Sequence, residues 1–119
     1  MFVEERIYTL HPGKLPEYLK LYTEEGMAIQ TRYLPAMVGY YTSEIGTLNL
    51  LIHMWGYEDL KQRSELRAKM QADPAWQAYV KKIQPLIQHQ ESRILNPTPF
   101  FAPKLEAMLK AMLKAGKGA

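Results

Sequence analysis

The chain has 119 residues, 15 Lys and Arg against 12 Asp and Glu, and a formal charge of +3. All of that excess lies between Lys104 and Ala119, which carry four lysines and one acid, Glu106, so the body before it is neutral. A neutral body argues against a nucleic-acid-binding face, the 47% hydrophobic content is that of one globular domain, and the lack of cysteine removes disulfides, thiolate metal sites and a Cys nucleophile.

Phe2 to Leu10 is rich in β-branched and aromatic residues and ends at His11-Pro12-Gly13, a strand closed by a turn. Leu15, Tyr18, Leu19, Tyr22 and Ile29 recur at helical spacing as far as Pro35, with Gly26 a weak point. Met37 to Ile45 and Asn49 to Tyr57 predict two strands joined by a tight hairpin at Gly46-Thr47. A helix starts after Glu58-Asp59, and Asp73-Pro74 reads as an N-cap and first-turn proline of another. Leu86 to Leu95 is a last strand. The order β-α-β-β-α-β predicts an α+β, ferredoxin-like protomer, a four-stranded antiparallel sheet with helices on one face. Leu105, Met108, Leu109, Met112 and Leu113 predict an extra C-terminal amphipathic helix over Lys104 to Ala115, ended by Gly116 and Gly118. The chain thus divides into a domain at 1–103 and a basic tail at 104–119, whose apolar stripe is expected to dock on the body or a partner subunit rather than on a membrane surface.

Alternation places Leu50, Ile52 and Met54 on one side of the third strand and Leu51, His53, Trp55 and Tyr57 on the other. The aliphatic set is expected beneath the helices. The His53 set, with Glu4, Arg6 and Tyr8 of the first strand, would then face a second copy of the chain. A homodimer joined sheet to sheet would enclose a pocket of aromatics with a few polar groups. His53 is the candidate acid or base. Arg6 with Glu4 could anchor an anion, Tyr8 and Tyr41 offer hydroxyls, and Trp55 could stack on a ligand. Arg63 is expected in a salt bridge. His11, His53 and His89 lack metal-ligand spacing, so neither metal nor cofactor is expected.

Glu4-x-Arg6-x-Tyr8-x-Leu10, Pro12-Gly13, Gly39-Tyr40-Tyr41-x-x-Glu44-Ile45-Gly46 and His53-Met54-Trp55-x-Tyr57-x-x-Leu60-x-x-Arg63 together resemble the NIPSNAP domain, from about Val3 to Pro99. The resemblance implies a dimeric α+β barrel with ferredoxin-like protomers. Related barrels include cofactor-free monooxygenases, isomerases, dehydratases and haem proteins, which makes a small-molecule-binding homodimer, with oxidoreductase or isomerase chemistry, the leading expectation. The alternative is a non-catalytic binding or interaction module. The N-terminus shows no signal-peptide pattern and no run is long enough to span a bilayer, so a cytoplasmic location is expected.

Overall fold

β1 (Phe2–Leu10) sits inside the sheet of the computed structural model, which describes residues 1–118. It pairs antiparallel with β3 (Leu50–Tyr57) on one side and β4 (Ile87–Leu95) on the other. β2 (Met37–Thr42) completes the order β2-β3-β1-β4 as an edge strand. Each antiparallel step reverses direction, so β1 runs parallel to β2 and β3 to β4. Both pairs need a crossover, and the helices supply it.

The first crossover is α1 (Leu15–Leu21), a π turn at Tyr22–Gly26, and α2 (Met27–Tyr33). Pro16 lies in the first turn, where its missing N–H costs nothing. At Gly26 the Tyr79 ring comes so close that an added Cβ would lie 2.4 Å from its Cζ. A glycine here is therefore a packing requirement, and the irregular turn accommodates it. The second crossover is α3 (Leu60–Gln71) and α4 (Pro74–Ile83), followed by a 3-10 turn at Gln84–Leu86. Asp73 caps α4 by accepting from Ala75 N–H, the N-cap expected there, and Asp59 caps α3 by accepting from the Gln62 N–H. The β2–β3 connection is longer than a tight hairpin. β2 ends at Thr42 and Asn49 turns the chain back with φ 63°, a left-handed conformation that asparagine tolerates.

The helices cover the opposite face of the sheet from the one expected. Leu51, His53, Trp55 and Tyr57 lie beneath them, packed with Tyr18, Tyr22, Met70 and Tyr79, while Leu50, Ile52 and Met54 sit on the other face, partly exposed. Alternation says which residues share a face; the side on which the crossovers lie is set by their handedness. The helices bring their own aromatic rings, and these match the aromatic side of β3.

α5 (Ala102–Gly118) starts two residues before the expected position and runs through both glycines. It crosses the helix-free face of its own chain. Leu105, Leu109 and Leu113 are buried against Ala36, Val3 and Val38. Gly56 is the contact point: a Cβ there would sit 2.1 Å from Leu109 Cδ2. α5 covers only this end of the face, which leaves Leu50, Ile52 and Tyr41 outside it. Among the described residues, no helix is long and apolar enough to cross a membrane.

Candidate functional site

Between the sheet and the helices lies a cavity of about 180 Å³. β1 and β3 supply a polar floor of Arg6, Tyr8 and His53, and α4 with Met70 of α3 supplies an apolar wall of Trp76, Val80 and Ile83. The two halves arise from sequence periodicity. The floor is one side of two neighbouring strands, brought into line by the Arg6–His53 pairing in the sheet register. The wall is the apolar stripe of a helix.

His53 is 1% exposed. Its Nδ1 accepts the Trp55 indole N–H over 2.6 Å. An indole nitrogen can only donate, so His53 Nδ1 carries no proton, and in the neutral ring the proton sits on Nε2. That Nε2 is buried and has no partner among the described residues. The ring is clamped, stacked on Tyr40 at 4.8 Å and edge-on to Tyr8 at 4.8 Å. Burial, and after it the positive charge of Arg6, lowers its pKa to about 3; Glu4 opposes them, and Arg67 adds the smallest push downward. The imidazole is thus neutral at physiological pH, a hydrogen-bond donor rather than a base. With Nδ1 occupied and Nε2 protonated it also presents no lone pair to a haem iron or other metal. No group of metal-ligating side chains occurs among the described residues.

Glu4 is fully buried yet charged. Arg63 of α3 grips it with two parallel bonds, Nε to Oε1 at 2.9 Å and Nη2 to Oε2 at 2.8 Å. Ser92 Oγ donates at 2.5 Å and Arg6 Nη1 at 3.3 Å. Burial pulls the Glu4 pKa up, but the bonds from Arg63 and Ser92 and the two guanidinium charges outweigh it and hold the value at about 2. Arg6 also donates through Nε to the Tyr8 hydroxyl at 3.2 Å. Tyrosines around the cavity are pushed the other way: burial raises Tyr18 to about 12 and lifts Tyr22, Tyr40 and Tyr79 as well.

The structure therefore brings His53, Arg6 and Tyr8 together at the cavity. Glu4 lies behind Arg6 as its counter-ion. Trp55 is fully buried behind His53, where it orients the ring. Tyr41 is on the helix-free face, 57% exposed, away from the cavity. The cavity itself lies within one protomer, under the helices, and not between two sheets. Arg67, Trp76 and Gln30 also line it, and sequence reasoning did not single them out. A charge at Arg67, one turn beyond Arg63 on α3, was the available signal, but nothing local shows which way the helix turns it.

The NIPSNAP profile matches residues 3–102. NipSnap homolog 2 of Danio rerio is 35% identical over 94 residues, 79% of this chain and 32% of that protein. NipSnap homolog 3A of Homo sapiens is 32% identical over 102 residues, 84% of this chain and 40% of that protein. The chain thus spans a third to two-fifths of the length of these relatives. Among solved structures, a NIPSNAP family protein of unknown function from Agrobacterium tumefaciens superposes with a TM-score of 0.82 at 43% identity, over 84% of this chain and 90% of that one. A NIPSNAP-like domain protein from Burkholderia xenovorans gives 0.81 at 46%, over 83% and 86%. An antibiotic biosynthesis monooxygenase, 14% identical with a TM-score of 0.58 over 83% and 100%, shares the fold. With a matching profile over most of its length and these relatives, the chain belongs to the NIPSNAP family.

Proposed function

We propose that this chain is a homodimeric protein that binds a small molecule in the cavity under its helices. The observation that carries this reading is the His53 Nε2–H, a buried donor without an acceptor at the edge of a cavity. Buried polar groups are nearly always paired, so an orphan beside empty space calls for a ligand or water that completes it. Binding ranks ahead of acid–base catalysis because the shifted groups here have moved away from neutrality: His53 down, and Tyr18, Tyr22 and Tyr79 up.

Homodimerisation is supported by the sheet. Leu50 and Ile52 remain partly exposed on the helix-free face, and α5 shields only its far end. A second copy would cover the rest, as one sheet face buries another.

A second reading is cofactor-free oxidation or isomerisation through an enolate. His53 and Arg6 present an N–H and a guanidinium side by side, which suits an oxyanion formed from a carbonyl. The proton acceptor that such a step requires has no candidate among the groups just named, which is why binding comes first.

Native mass spectrometry of the full chain tests the proposal. A dimer with retained small-molecule mass is expected. A ligand-free monomer across micromolar concentrations would overturn it.

A further inference from the structure

The charges around the cavity do not balance. Its lining includes two arginines, Arg6 and Arg67, and no aspartate or glutamate. The nearest carboxylate, Glu4, is already committed. Arg63 holds both its oxygens at 2.8 and 2.9 Å, and Arg6 reaches it only through one contact at 3.3 Å. Arg67 has no carboxylate within 4 Å among the described residues, although it is partly buried. Arg6 shares Glu4 with Arg63 and Arg67 has no such carboxylate, so the lining carries an excess of positive charge, which is costly away from water and which an anion would offset. The His53 Nε2–H adds a third donor, on the sheet floor beside Arg6, and its ring is already fixed by Trp55 and Tyr40.

The helix side mixes polar groups with an apolar patch, and that patch favours a ligand with an apolar part. Trp76, Val80, Ile83 and Met70 present apolar surface, and inorganic anions gain nothing from it. The space of about 180 Å³ is that of roughly six water molecules, below the usual range for drug-sized ligands. A short apolar body with one anionic head uses both halves.

We propose that the cavity takes a small monocarboxylate with an apolar body, its carboxylate held by Arg6 and Arg67 and accepting the His53 Nε2–H. The guanidinium fork matches a planar carboxylate, and the imidazole N–H supplies the remaining bond. This inference rests on the reading of the cavity as a ligand site, and adds the chemical class.

The full chain is titrated with benzoate, hexanoate, benzyl alcohol and inorganic phosphate. Binding is followed by tryptophan fluorescence and by the NMR resonance of the His53 Nε2 proton. Benzoate or hexanoate is expected to bind at least tenfold more tightly than benzyl alcohol and to shift that resonance. Arg67→Met is expected to erase at least tenfold of the difference. Arg6→Met should do the same, but it also strips Glu4 of a partner, so the Arg67 variant carries the test. If benzyl alcohol binds as well as benzoate, the carboxylate assignment falls while the small-molecule site stands. Phosphate bound more tightly than either carboxylate also overturns the assignment. If none of the four shifts the resonance, both the assignment and the ligand site under the helices fall.

Discussion

Trp55 Nε1 lies 2.6 Å from His53 Nδ1, and both side chains are buried. Two residues apart on one strand, they share a face, and the donor-only indole dictates which imidazole nitrogen keeps the proton. The relationship converts an ambivalent acid–base residue into a fixed donor. Trp55→Phe removes the lock. The expected outcome is a 15N spectrum that changes from a single Nε2–H tautomer to a mixture, with a stability loss of about 1–3 kcal/mol from the acceptor left alone. An unchanged tautomer signature would show that something else sets the proton.

His53 also links stability to pH. Its pKa is about 3 in the fold against 6.5 for the free side chain, so the unfolded chain takes up its proton first as pH falls. Stability is complete above 6.5 and declines from there down to about 3, by about 1.4 kcal/mol per pH unit once the slope is established. Urea unfolding between pH 6.5 and 5 should show this decline in the wild type, and His53→Phe should flatten it. The comparison is of slopes, because the variant also leaves the Trp55 indole without an acceptor.

Glu4 acts in a lower window. Its folded value of about 2 lies below the ordinary 4.5, so its contribution is complete above 4.5 and lost as pH falls toward 2. Glu4→Gln keeps the volume and breaks the charge pairing, leaving Arg63 and Arg6 without their carboxylate. Breaking a buried pair from one side costs about 3–5 kcal/mol. Denaturant midpoints should report that loss near neutral pH, and little difference between variant and wild type near pH 2.

Gly56 and Leu109 couple α5 to the sheet. Gly56→Ala puts a methyl group 2.1 Å from Leu109 Cδ2 in a fully buried site, which costs about 1–3 kcal/mol of overpacking. Leu109→Ala alone should cost about 2–5 kcal/mol through the cavity it leaves. Combined, the two should be strongly non-additive, since the new methyl fills part of that cavity. Additive losses would mean that α5 does not rest on Gly56.

The same docking governs the basic tail. The leucines of α5 are committed to Val3, Ala36 and Val38, and so are withheld from a lipid surface. Flotation with anionic vesicles should be the same with and without residues 104–119, provided the shortened chain stays folded by circular dichroism. Tail-dependent flotation would show that α5 leaves the sheet.

Much of this architecture is written in local pattern. The period-2 alternation of β1 and β3, the aspartate caps at Asp59 and Asp73, and the leucine stripe of α5 are short-range signals, set by backbone geometry and by the need to bury one side of each element. They suffice for the strand order, for the grouping of Arg6 with Tyr8 and of His53 with Trp55, and for a tail helix that docks. The tertiary structure decided which face of the sheet the helices cover, because crossover handedness is a property of whole βαβ units and not of any one strand. It also decided the partners that lie far apart in the chain. Arg63 meets Glu4 across 59 residues and Ser92 meets it across 88. It turned Tyr41 away from the cavity and Arg67 toward it, since a side chain's direction on a helix or edge strand follows from how that element is set against the rest. The residue types were thus visible from the start, while the cationic cavity between them exists only where two strands and the helices close around it.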